Sequence, residues 1–308
     1  MPKPQTITLL SLLKPRYWLL WAGIGILWSL TRLPLVWQLV LGKKLGQVFG
    51  YFASRRRHIA LINIQLCFPE LDTSQQEKLL RQHFESLGMG FFEMLSAWWV
   101  NDSSLKSLGK IQGLEHLQAG LQRGKGVILL SAHMTSSEIG SRFLIQQTPI
   151  HGIYRPHENP LIEYLMQKNR ERHAEKAIPR EAVREIIRSL KQNKVLWFAM
   201  DQNFGHKNSV FAPFFNVPAA TNIATTRLVE LSGAVVIPFF TQRLPNGQGY
   251  LMTLQPPLTH FPGENVLQDT TRINQLIEQH VRQVPEQYLW IHRRFKDRPL
   301  GESDVYQQ

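Results

Sequence analysis

The chain has 308 residues, 43% of them hydrophobic, and sets 35 Lys and Arg against 23 Asp and Glu for a net charge of +12. That size and apolar content exclude a disordered chain and suffice for one large or two small domains, while the positive balance points to an anionic partner: nucleic acid, a phospholipid surface, a phosphorylated substrate or an acidic protein. The one cysteine, Cys67, excludes an intramolecular disulfide and fits a reducing compartment; set between Leu66 and Phe68, it reads as a buried structural thiol.

Residues 1–45 read as a membrane-anchor segment. Tyr17 to Leu30 is apolar without a charge, and after Thr31-Arg32-Leu33-Pro34 the chain is apolar again from Leu35 to Leu41. One reading is a spanning helix that tolerates Arg32; the other is a helix lying in the interface, bent near Pro34. Trp18, Trp21, Trp28 and Trp37 suit the headgroup layer. Lys3, Lys14 and Arg16 precede the segment, and Lys43, Lys44 and Arg55 to Arg57 follow it. The excess after the segment places the body of the chain on the cytoplasmic side. A cleaved signal peptide is disfavoured, since no small-x-small site follows the run.

The body, residues 46–308, divides into a helical lead-in over 46–110 and an α/β core over 111–295. In the lead-in, a helix from about Leu45 to Leu66 ends at Pro69, with Arg55 to Arg57 placed to face acidic headgroups. Thr73-Ser74-Gln75-Gln76 reads as a capping box opening a second helix, which ends in the apolar stretch Phe91 to Trp99. That stretch is either core or one wall of a groove for an apolar ligand. Strand patterns then recur at Val127–Leu130, Gly152–Tyr154, Val195–Met200, Ala234–Phe240 and Tyr250–Leu254. Helical patterns lie between them at Pro160–Glu175, Arg180–Gln192 and Thr221–Ser232. This alternation predicts an α/β fold with a mostly parallel sheet flanked by helices. Leu244-Pro245-Asn246-Gly247 predicts a hairpin joining the last two strands, and Thr271–Val284 a closing helix.

The strand Val127–Leu130 ends in Ser131-Ala132-His133, with Glu138 five places beyond the histidine. Imidazole takes a proton near neutral pH, and a carboxylate accepting from its far nitrogen fixes the tautomer. Five residues of regular helix turn through ~500°, so the two side chains meet only if a turn or a helix start intervenes. Thr135, Ser136 and Ser137 are good N-cap residues and offer that start. Both His133 and Asp201 fall at the carboxyl ends of strands, where open α/β sheets bind ligands. Asp201 either caps its own loop or holds an Arg or His group in place. Arg155 ends another strand, Arg170 and Arg172 follow on the next helix, and His292 to Lys296 form a late basic cluster. Each can bind phosphate or carboxylate, or be a solvated charge.

Phosphate loops, dinucleotide fingerprints, Gly-x-Ser-x-Gly elbows, paired cysteines and His-Glu-x-x-His motifs are all missing from the sequence. No cofactor and no metal are expected, and no nucleic-acid reader motif is visible. With no evident protein nucleophile beside His133, the substrate's own hydroxyl has to attack, by general-base catalysis.

His133 with Glu138 matches the His-x4-acid motif of membrane-associated glycerolipid-type acyltransferases. Cys67-Phe68-Pro69-Glu70, Tyr154-Arg155-Pro156 with Asn159-Pro160, Ser209-Val210-Phe211 with Pro213 and Phe215, and Pro285 through Phe295 together resemble the late acyltransferases of bacterial lipid A biosynthesis. Pro15-Arg16-Tyr17-Trp18 is similar to the lauroyl-type members, and the likeness covers nearly the whole chain. It implies that acyl carrier protein delivers a fatty acyl thioester to a hydroxyl on a 3-hydroxyacyl chain of an anionic, Kdo-bearing lipid A precursor. It also implies the cell inner membrane as the place of work. In that scheme His133 is the general base and Glu138 orients it; Arg155, Arg170 or Arg172, and Asp201 bind substrate or stabilise the oxyanion. Phe91 to Trp99 would form part of the wall of the acyl slot. Two rivals are a lipid or thioester hydrolase using the same pair, and a basic membrane-binding protein without catalysis.

Overall fold

The computed structural model describes residues 9–307; Lys3 lies outside them. The N-terminal third is helical: α1 (Leu9–Leu12), α2 (Trp18–Leu30), α3 (Leu35–Phe52), α4 (Ser54–Cys67) and α5 (Thr73–Trp99). After α6 (Asp102–Leu105) the chain alternates through β1 (Gly109–Gln112), α7 (Leu114–Gln122), β2 (Val127–Ser131), α8 (Ser137–Ile145), β3 (Ile150–Tyr154), α9 (Pro160–Glu171), β4 (Lys176–Pro179), α10 (Val183–Lys191) and β5 (Val195–Ala199). A separate hairpin, β6 (Ser209–Phe214) and β7 (Val217–Asn222), precedes α11 (Ala224–Ser232), β8 (Val235–Arg243), β9 (Tyr250–Leu254) and α12 (Val266–Gln283).

The main sheet has seven strands in the order β1-β9-β8-β2-β5-β3-β4, parallel except where β8 turns back into β9. β2 is central and all five of its residues are buried, which its unbroken Val-Ile-Leu-Leu run requires. Ile128 and Leu130 face a core closed by α4, α10, α11 and α12. Val127 and Leu129 face a second core closed by α7, α8 and the Phe92–Trp98 half of α5. Strands β1 and β4 escape sequence reading because each is a short edge strand, and β6 and β7 because they form a separate hairpin with a proline in each strand.

Three expectations about the lead-in change. The capping box opens one residue early: Asp72 accepts from Gln75 N at 2.8 Å, and the Gln75 side chain accepts from Asp72 N at 2.9 Å. The boundary at residue 45 falls inside α3, which is locked to α5 by glycines. A Cβ on Gly46 would stand 2.0 Å from the Phe84 carbonyl oxygen, and one on Gly88 would stand 2.1 Å from that of Gly42. The spanning-helix reading is also corrected: among the described residues, no helix is long and apolar enough to cross a membrane. The turn at Thr31 to Pro34 cuts the apolar stretch into a 13-residue helix and an 18-residue helix. Both expose large apolar side chains, with Trp18 64%, Leu19 87% and Trp37 62% exposed.

Candidate active site

Parallel pairing of β2 with β5 sets Ser131 beside Ala199, so two residues further on His133 and Asp201 emerge side by side. Asp201 Oδ1 lies 2.7 Å from His133 Nδ1, and both carboxylate oxygens accept from His133 N at 3.1 Å. A carboxylate can only accept, so Nδ1 carries the ring proton and Nε2 presents a lone pair. Among the described residues, Nε2 has no hydrogen-bond partner. The histidine side chain is 32% exposed, whereas Asp201 is 2% exposed. Burial works against a charged imidazole, but the charge and hydrogen bond of Asp201 outweigh it and hold the His133 pKa above its usual value. Burial likewise opposes a charged Asp201, and His133 with its own amide outweighs that, drawing the carboxyl down to about 2.

Glu138 does not orient His133. It falls in the first turn of α8 and points toward α5 and α9. Its Oε1 accepts from Trp98 Nε1 at 3.0 Å and from Arg170 Nε at 2.9 Å, and its Oε2 from Arg170 Nη2 at 2.9 Å. Both oxygens are thus occupied in a bidentate pair. Arg170 overcomes the effect of burial and keeps Glu138 below its ordinary pKa. The third nitrogen of Arg170, Nη1, makes no hydrogen bond among the described residues.

His133, Glu138, Arg170 and Arg155 border one cleft of about 830 Å³. Its walls are mainly apolar and include Phe91, Met94 and Trp98 from α5, Met166 from α9 and Trp197 from β5. The stretch Phe91 to Trp99 is therefore both core and groove: Phe92 and Leu95 face the sheet, while Phe91 and Met94 line the cleft. Arg155 stands at its border, exposed and 3.8 Å from Glu158. Arg172 does not reach the cleft; it caps the exposed end of α9. The late basic cluster is largely structural. His292 accepts from Asn203 N at 3.1 Å and burial holds its pKa down at about 4. Arg293 pairs with Asp304, and Arg294 is buried with its guanidinium on Ala220 O and Thr221 Oγ1. Arg57 is paired with Glu77, and Arg56 donates to Ile291 O, which borders the cleft. Cys67 is fully buried, as expected, and burial pushes its thiol pKa well up. Among the described residues, no group of three or more His, Cys, Asp or Glu could hold a metal ion.

Sequence reading passed over the residues that brace the histidine loop. Arg243, at the end of β8, and Glu93, inside the apolar stretch of α5, form a buried pair. Tyr250 donates to Glu93 at 2.9 Å, and Arg243 donates to Ser86 Oγ at 2.9 Å and Thr135 Oγ1 at 3.3 Å. Gln287 O accepts from Thr135 N at 2.7 Å, and His133 O accepts from Leu289 N at 3.1 Å. The loop from His133 to Thr135 is thus held on two sides. The available signal was a lone Arg and a lone Glu within otherwise apolar elements, since such charges are buried only when paired.

Comparison with known proteins supplies a chemistry for this geometry. Residues 6–297 match a family model described as bacterial lipid A biosynthesis acyltransferase. The chain is 37% identical to a lipid A biosynthesis lauroyltransferase of Escherichia coli (strain K12), over 96% of this chain and 97% of that one. It is 38% identical to a lipid A biosynthesis palmitoleoyltransferase of the same organism, over 98% and 99%. A lipid A biosynthesis acyltransferase of Haemophilus influenzae is 33% identical over 93% of each chain.

Proposed function

The chain belongs to the bacterial lipid A biosynthesis acyltransferase family, and from that premise we propose that it moves a fatty acyl chain from acyl carrier protein to a hydroxyl on a 3-hydroxyacyl chain of a Kdo-bearing lipid A precursor. The observation that carries this reading is His133: a tautomer held by Asp201, with the free Nε2 at the border of an apolar cleft.

Nε2 takes the proton of the acceptor hydroxyl as its oxygen attacks the thioester carbonyl. The oxyanion of the tetrahedral intermediate is met by Arg170, whose Nε and Nη2 are held by Glu138, itself fixed by Trp98, leaving Nη1 to donate. Collapse breaks the C–S bond, and the departing thiolate takes the proton from His133. The new ester is an acyloxyacyl chain. A thioester is already activated, so the step needs no nucleophile from the protein. Arg155 is placed to meet phosphate or carboxylate at the rim of the cleft. The net charge of +12 suits both an acidic carrier and a phosphorylated acceptor.

The apolar face of α2 and α3 lies on the inner membrane, and the catalytic body stands on its cytoplasmic side. Exposed Trp18, Trp28 and Trp37 with Lys43 and Arg55 support that placement. The test is mass spectrometry of lipid A from cells with and without the chain, complemented by wild type or His133→Ala. A missing secondary acyl chain restored only by wild type is the expected result. Unchanged lipid A would contradict the proposal. Release of fatty acid without acceptor would favour hydrolysis instead.

A further inference from the structure

One of the sheet residues lining the cleft has no side chain. Trp197 of β5, Gly152 of β3 and Ala177 of β4 stand in one register row across three strands, and all three line the cleft. Glycine weakens a strand interior, and a β position favours branched or aromatic residues, so this glycine needs a reason. Two ordinary reasons fail. Its backbone is not left-handed, unlike Gly126 with φ of 77°. Nor is it crowded: a Cβ on Gly126 would meet Leu190 O at 2.5 Å, whereas one on Gly152 would meet nothing within 4 Å. What remains is open space on the cleft side. Met94, Trp98 and Met166 line the same cleft. Polar groups on the wall are engaged elsewhere: Arg142 by Asp102, Asn169 by Leu165 O, His173 by Trp98 O. The space beside Gly152 is thus an apolar bore that runs into the site of His133, Glu138 and Arg170.

We propose that Gly152 is a specificity-determining residue: the side chain it lacks leaves room for the donor's fatty acyl chain, and the size of residue 152 sets the longest chain accepted. This rests on the acyl-transfer reading above. Gly152 touches neither reacting atom; it acts on how many methylenes of the donor are buried, each worth about fourfold in relative rate.

The experiment uses the full chain in detergent, with acyl carrier protein thioesters of graded chain length competing for one lipid A precursor, read by mass spectrometry. Gly152→Leu is expected to move the product distribution to shorter chains, with the longest donors falling about fourfold per methylene that no longer fits and the shortest kept near wild-type rate. Gly152→Ala, which adds one methyl into open space, is expected to depress only the longest donors, and it carries the test should the leucine variant fold poorly. An unmoved distribution in Gly152→Ala and a folded Gly152→Leu, or an equal loss on every donor, overturns the proposal. Lack of transfer by the wild-type chain with any donor would overturn the acyl-transfer reading itself; wild-type transfer with an unmoved distribution overturns only the bore.

Discussion

Two acids stand near His133, and they do different work. Asp201 is almost fully buried and touches both the histidine ring and its backbone. Glu138 is 28% exposed, borders the cleft and spends both oxygens on Arg170 and Trp98. In the proposed mechanism the first pair would govern a proton, and the second would fix a cation where negative charge develops. The acid close in sequence is therefore not the one that touches the histidine. Strand register outranks sequence proximity, because neighbouring parallel strands bring their carboxyl ends to one level however far apart they lie in the chain.

Substitutions can break this contrast. The largest effect belongs to His133→Ala, expected to cut turnover by about 10²–10⁴-fold and to lower the melting temperature as well, since buried Asp201 loses its partner; retained turnover in the folded variant would contradict its role as base. Asp201→Asn comes next. It removes the group that raises the His133 pKa, so two changes are expected together: a large loss of turnover and an acid limb of kcat/KM moved to lower pH. The sign follows from the titration. The base form of His133 appears only above its raised folded-state pKa, so the wild-type limb lies above about 6.5, the ordinary histidine value. The pair's stabilisation is full below that unfolded value and fades as pH rises through the folded one. Urea unfolding should therefore show a larger deficit for Asp201→Asn at pH 6 than at pH 9. Equal deficits would count against a charged pair.

Glu138→Gln should behave differently. Arg170 loses its anionic partner, and a partly buried charge left without one costs about 1–3 kcal/mol. Thermal stability and turnover should both fall, while the pH limb stays in place. Arg172→Ala marks the small end, with stability within about 0.5 kcal/mol of wild type and turnover unchanged; a large loss there would reverse the assignment of Arg170 over Arg172.

Much of the sheet was legible because buried parallel strands announce themselves. Val127–Leu130, Val195–Met200 and Tyr250–Leu254 read out as apolar runs, and Leu244 to Gly247 as a turn. Lys176–Pro179 did not, being a four-residue edge strand with a charge and a proline, squeezed between two segments that read as helix. The sequence singles out His133 and Glu138 as a pair and Arg155, Arg170 and Asp201 one by one, and the structure gathers them around one cleft or directly behind it. Their partnerships were not legible. Pairing His133 with Asp201 requires knowing that β2 and β5 are neighbours, and nothing within either segment says so. Separating Arg170 from Arg172 requires the helix phase on α9, which two residues of spacing do not supply. Gly152 read only as a strand residue, because an absent side chain matters only once its surroundings are known.

The most direct measurement follows the His133 ring by nuclear magnetic resonance through a pH titration, in wild type, Asp201→Asn and Glu138→Gln. The account requires the proton on Nδ1 and an elevated pKa in wild type, a fall in that pKa for Asp201→Asn, and little change for Glu138→Gln. A ring that responds to Glu138 and ignores Asp201 would contradict it.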